Sequence, residues 1–148
     1  MSFFLSVVAG QGGIKPCGAP GTLSLANGST SGTMIDLSWS APSDTGGGVV
    51  SGYKIQRSTN SGGSWSDLVA DTGSTGTTYT NTGLTRLTRY DYRVAAINEA
   101  GAGAYGNEPN HTTTAELPDA PGTLSLSAGS NAFTEINLSW SAPSDNGG

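Results

Sequence analysis

Between Met34 and Ser40 apolar and polar residues alternate without a break: Ile35, Leu37 and Trp39 point one way, and Asp36, Ser38 and Ser40 the other. A period of two puts one set of side chains on a buried face and the other in water, so the stretch predicts a half-buried β-strand. Ala41-Pro42 ends it, because proline has no N–H to give to a sheet ladder. The alternation returns in Tyr90 to Asn98, with Tyr92, Val94 and Ala96 inward, and in Val49 to Ser58, with Tyr53 and Ile55 inward. Gly21 to Ala26 holds Leu23 and Leu25 two apart and suits a first strand, with Pro20 blunting its entry at a sheet edge. Ser64 to Ala70 carries Trp65, Leu68 and Val69; Thr77 to Thr82 holds Tyr79, and Leu84 follows; Asn107 to Thr114 is the last strand. Turn signals separate these runs at Asn27-Gly28, Ser43 to Gly48 and Asn60 to Ser64, and the Gly/Ala-rich Glu99 to Gly106 is expected to be a loop. No segment sustains a 3.6-residue period. Seven strands and no helix predict an all-β chain of two antiparallel sheets packed face to face, with Leu37, Trp39, Tyr53, Ile55, Leu84, Tyr90, Tyr92 and Val94 in the core.

The pattern repeats itself. Ala19 to Gly47 and Ala120 to Gly148 align without a gap, with 21 of 29 positions identical and an offset of 101 residues. That offset is the length of a sandwich domain, not of a solenoid unit. The expected organisation is an N-terminal segment or linker over 1–18, a complete domain over 19–115, a linker over 116–119 and the start of a second repeat over 120–148. Two strands cannot close a core alone. The second copy therefore reads as part of a longer tandem array, a truncated reading frame, or a unit completed by a partner.

Composition narrows the function classes. Apolar residues make up 34% of the 148, with 23 Gly, which fits short strands, many turns and a thin core. The net charge is -5 with only 6 Lys plus Arg, so there is no basic stripe to displace counterions from a nucleic acid. No apolar run approaches the ~20 residues of a membrane span. Phe3 to Ala9 is a short apolar stretch with no basic residue before it, a poor secretory signal that suits an N-terminal strand or the remnant of an upstream module better. The single cysteine, Cys17, excludes an intrachain disulfide and reads as an incidental or tethering thiol in a linker.

Several pieces, in order and at the right spacing, resemble the fibronectin type III family. Leu37-Ser38-Trp39-Ser40-Ala41-Pro42 resembles its second strand, with a buried Trp and trailing Pro, and Gly52-Tyr53-Lys54-Ile55 its third. Gly83-Leu84 followed by Tyr90 to Gly101 is similar to the stretch around its sixth strand. The resemblance covers about Ala19 to Ala115 and restarts at Ala120. It implies an immunoglobulin-like seven-stranded antiparallel β-sandwich, in which Tyr90 takes the tyrosine-corner position and its hydroxyl bonds back to nearby backbone. One departure stands out: the family places Pro-Gly before that tyrosine, where this chain has Arg86-Leu87. The turn must be made differently, leaving Leu87 exposed.

No catalytic constellation is legible. His111 has no nucleophile and orienting partner recognisable nearby, Asp67 and Asp71 match no calcium-loop spacing, and the glycine runs at 46–48 and 101–103 precede no helix that would hold an anion. No cofactor, metal or catalytic residue is expected. Integrin-binding relatives can carry Arg-Gly-Asp in the loop between the last two strands; here Glu99 to Tyr105 lacks it. Glycosylation acceptor patterns at Asn27, Asn110 and Asn137 are short enough to arise by chance, and Asn137 would lie inside a strand. The candidate ligand-contact residues are Tyr105, beside the last loop, and Trp65, which either covers a sheet or meets a ligand.

The leading expectation is a non-catalytic structural or interaction module, a spacer or adhesion domain of a multi-repeat surface or virion protein. Its partners would be a protein or a surface glycan together with neighbouring repeats of the same chain, with no nucleic acid and no membrane insertion. The resemblance implies an extracellular or surface setting. The alternatives are an accessory, carbohydrate-associated module of a secreted polysaccharide-degrading enzyme, which exposed aromatics along one sheet face would favour, and a module that recruits a protein through its end loops or a sheet edge.

Overall fold

In the computed structural model, residues 12–29, 32–131 and 134–145 are described. The apolar stretch at Phe3 to Ala9 lies outside them. The strands are β1 (Ser24–Asn27), β2 (Ile35–Ser38), β3 (Gly52–Ser58), β4 (Ser66–Val69), β5 (Thr78–Asn81), β6 (Arg89–Asn98), β7 (Gly101–Tyr105), β8 (Asn110–Thr112), β9 (Ser125–Ala128) and β10 (Ile136–Ser139). One sheet runs β1-β2-β5. The other runs β4-β3-β6, and β7 and β8 fill the far edge of β6 in succession. All pairings are antiparallel. This is the two-layer sandwich that the period-two pattern calls for.

The inner faces are the alternating positions. Ile35, Leu37 and Trp39 come from one sheet, and Tyr53, Ile55, Tyr92, Val94 and Ala96 from the other, all buried, with Leu23, Leu84 and Tyr90 in the same cluster. The rings of Trp39 and Tyr53 meet edge to face at 5.2 Å, a favoured aromatic geometry. Asn81, opposite Ile35 on β5, donates through Nδ2 to the Tyr92 hydroxyl at 2.8 Å and stitches the two sheets inside the core. Burial pushes the Tyr92 phenol up to about 12, more than the Asn81 bond lowers it.

Three expectations are corrected. Glu99 to Gly106 is not a loop. A turn at Glu99-Ala100 leads into β7, which pairs Asn98 with Gly101, Ile97 with Ala102 and Ala95 with Tyr105. Its glycine content has a packing cause: a Cβ at Gly103 would lie 2.1 Å from the Cys17 carbonyl oxygen and within 3 Å of two more backbone atoms. Glycine in a strand often marks such a close backbone approach. The last strand is correspondingly split, its final piece β8 much shorter than Asn107 to Thr114. Pro109 interrupts the edge, while Gly106 N–H to Val94 O (3.1 Å) and Tyr92 N–H to Pro109 O (3.0 Å) carry the ladder across the break.

Cys17 is buried rather than held in an open linker. Its carbonyl accepts from Ala104 N–H at 3.1 Å, and the neighbouring Lys15 N–H bonds Gly46 O at 2.9 Å, so residues 15–18 dock onto the end of the sandwich. Burial pushes the thiol pKa up, as expected of an inert structural cysteine.

The Tyr90 hydroxyl accepts from Thr85 N–H at 3.0 Å. The turn before it is made by Leu87 at φ 53°, in the left-handed region where the family's glycine would be at ease. Leu87 is 68% exposed and gains little there from packing. A non-glycine residue in that region costs ~1–2 kcal/mol, partly offset because glycine loosens the unfolded chain. Leu87→Gly is therefore expected to stabilise the domain by about 0.5–1 kcal/mol, read as a raised urea midpoint at unchanged slope.

Candidate functional site

The outer face of the β4-β3-β6-β7 sheet carries the most organised side-chain cluster outside the core. Because Tyr92 and Val94 point inward, Arg93 between them must point outward. Its guanidinium carbon lies 4.4 Å from the centre of the Trp65 ring and 4.2 Å from that of Tyr105. Both distances fall within cation–π range, worth ~0.5–1 kcal/mol each at exposed sites. Trp65 comes from the approach to β4 and Tyr105 from the end of β7, on opposite sides of β6. The edge-strand pairing of β7 is thus what brings Tyr105 to the cluster.

Polar neighbours complete the face. Arg93 donates from Nε to Gln56 Oε1 at 2.8 Å and from Nη1 to Glu108 Oε1 at 3.1 Å. Gln56 Nε2 donates to Asp67 Oδ1 at 2.7 Å, and Lys54 Nζ lies 3.0 Å from Asp67 Oδ2. The Gln56 bond, followed by Lys54, holds the Asp67 carboxyl below its ordinary value, and the Asp67 bond raises Lys54. Asp67 thus adds stability that is present above its ordinary pKa and lost as pH falls through the lowered one. Lys54 adds stability that is lost as pH rises through its raised value. Being largely solvated, both contributions are small.

The two candidate contact residues, Trp65 and Tyr105, are therefore brought together, each half-buried, around an arginine that the sequence reading did not single out. Its signal was its odd position within the alternation of β6. The other features lie apart. His111 Nε2 is 2.7 Å from Asn27 Oδ1, between β8 and β1, and Asp71 Oδ1 accepts from Gly73 N–H within its own turn. Among the described residues no helix is long and apolar enough to cross a membrane.

A second polar centre sits at the end of the sandwich. Arg86, in the position where the family has proline, reaches Glu116 at 2.9 Å and also Asp145, while Gly32 N–H donates to Glu116 Oε1 at 2.9 Å. The Gly32 bond first, then Arg86, holds the Glu116 carboxyl below its ordinary 4.5. One arginine thus joins the module, the segment that leaves it and the stretch that follows β10.

A two-sheet antiparallel sandwich with a tryptophan buried just after its second strand and a tyrosine corner defines an immunoglobulin-like module. The sequence model of the fibronectin type III domain matches residues 18–112, and the chain belongs to that family. It is 32% identical over 136 residues to exoglucanase B of Cellulomonas fimi, covering 88% of this chain and 12% of the enzyme. It is 30% identical over 127 residues to fasciclin-2 of Schistocerca americana, covering 78% of this chain and 14% of that protein. The chain thus spans only a small part of the length of these relatives. Among solved structures, an Fn3-like protein from Clostridium thermocellum superposes with a TM-score of 0.54 at 30% identity, covering 65% of this chain and 92% of that one.

Proposed function

We propose that this chain is a non-catalytic spacer and interaction module of a multi-repeat extracellular or surface protein, in which residues 120–148 begin a second module. The observation that carries the reading is the joint at Arg86. A spacer must hold successive modules at a set angle, and here one guanidinium is held by the linker carboxylate and by a carboxylate that follows β10. Residual dipolar couplings test it. In the native chain at neutral pH, the amides of β9 and β10 should share the alignment of β1 to β8. Arg86→Ala should uncouple them. Acid should do the same: Glu116 has a lowered pKa, so its contribution is intact above 4.5 and is lost as pH falls through the lowered value. Couplings unchanged by Arg86→Ala would remove the joint from the account.

The second reading, an accessory module of a polysaccharide-degrading enzyme, draws on the exoglucanase relative and on the Trp65–Arg93–Tyr105 face. Against it, each ring already gives one face to Arg93, which also bonds Gln56 and Glu108, so the cluster is partnered by its own side chains. A pull-down on insoluble glucan separates the two readings. Retention that is lost in Trp65→Ala and Tyr105→Ala would favour the accessory module, and passage of the native chain favours the spacer.

A further inference from the structure

Gly32, in the turn between β1 and β2, meets the Arg86 joint in two ways. Its N–H donates to Glu116 Oε1 at 2.9 Å, on the carboxylate whose other oxygen accepts from Arg86. It also leaves room. A Cβ at this position would lie 2.8 Å from the Thr114 carbonyl oxygen and 3.0 Å from both Cγ and Nε of Arg86. Atoms that close overlap, so any side chain here would push the segment that leaves the module away from the turn. Backbone conformation does not demand the glycine, because its φ lies outside the left-handed region. Space and an accessible N–H do.

The 101-residue offset lets each part of the joint be compared with its counterpart. The β9–β10 pair keeps the register of β1–β2, and its turn is closed alike: Gly129 N–H to Glu135 O matches Gly28 N–H to Met34 O. Across these turns of equal length, the residue that stands for Gly32 in the second repeat's sequence is Phe133. At the front of each repeat, Asp119 N–H to Asp145 O matches Gly18 N–H to Asp44 O. Asp145 therefore has Asp44 as its counterpart, and Glu116 has Lys15. The aspartate is present at both fronts. The linker carboxylate and the turn glycine are each present once, and only at the joint that Arg86 makes.

Given the Arg86 joint proposed above, we infer that Gly32 and Glu116 determine its specificity: they are a matched pair through which one module clamps the next. A lysine in place of Glu116 sets a cation against the guanidinium, where like charges repel. A phenylalanine in place of Gly32 fills the space that Thr114 and Arg86 need. The residues at 15 and 133 therefore do not support a clamp of this kind. Modules of this type are not interchangeable in order, and the stiff joint belongs to this one junction.

The test installs the counterpart residues in the full chain. Gly32→Phe is expected to unfold cooperatively, to lose the alignment that β9 and β10 share with β1 to β8 in residual dipolar couplings, and to let Glu116 titrate near its ordinary 4.5, followed by carboxyl NMR. Glu116→Lys should lose the shared alignment as fully as Arg86→Ala. A glycine needed only for the stability of its own turn would lower the urea midpoint and leave both the alignment and the Glu116 titration unmoved. If phenylalanine prevents folding, Gly32→Ala makes the same test, since its Cβ alone meets the Thr114 oxygen. Shared alignment in the folded Gly32 variant or in Glu116→Lys overturns the inference, and Arg86→Ala, if still uncoupled, leaves the joint standing. Unchanged couplings in Arg86→Ala overturn both.

Discussion

Replacing Trp39 by alanine is expected to lower the unfolding free energy by about 3–5 kcal/mol, while the same change at Trp140 moves it by no more than about 0.5 kcal/mol. The two tryptophans sit in the same hexapeptide, Leu-Ser-Trp-Ser-Ala-Pro, and both follow the second strand of a hairpin. They differ in what covers them. Trp39 is shut between the sheets and packs edge-on against Tyr53, so truncation removes the transfer energy of an indole and leaves a void that a rigid sandwich cannot close. Trp140 is mostly in solvent, so truncation there changes little. Urea titrations of the two variants make the comparison at fixed local sequence. A loss below about 1 kcal/mol at Trp39 would contradict the strand assignment on which the core is built.

The second large effect is alkaline. Tyr92 is fully buried, and its phenol is pushed up to about 12 from 10, chiefly by desolvation. The folded state therefore keeps a proton that the unfolded chain releases above pH 10. The stabilisation is complete below pH 10 and is lost as pH rises from 10 to 12. At 1.36 kcal/mol per unit, the loss reaches about 2–3 kcal/mol. Tyr53, also raised by burial, acts in the same direction. Tyr92→Phe separates the contributions. It should lose about 1–3 kcal/mol at neutral pH, because the buried Asn81 amide is left without its acceptor. In return, its stability should decline less steeply above pH 10. Unfolding titrations at intervals from pH 8 to 12 check both statements, and identical alkaline slopes in the two proteins would contradict them.

The elements that followed the alternation were legible. β2, β3 and β6 bury one face and wet the other, so Trp39, Tyr53, Ile55, Tyr92 and Val94 announce themselves by period, and the order of motifs placed Tyr90 at its corner. What stayed hidden was decided by contacts between distant segments. β7 reads as a loop because of its glycines, and Gly103 is there to make room for the backbone of Cys17, 86 residues away in the chain. Cys17 reads as linker because its burial depends on that same approach. Arg93 was visible as an outward residue of β6, but its place between Trp65 and Tyr105 requires the β7 pairing that was missed. Arg86-Leu87 was legible as a departure from the family pattern; that one residue would take a left-handed turn and the other reach the stretch after β10 was not.

The most direct test of the account is hydrogen exchange at the indole N–H groups, followed by NMR in dilute protein. Trp39 should exchange as slowly as the most protected amides of β3 and β6, and Trp140 as fast as a solvated indole. Equal, fast exchange at both would mean that no sandwich closes over residue 39.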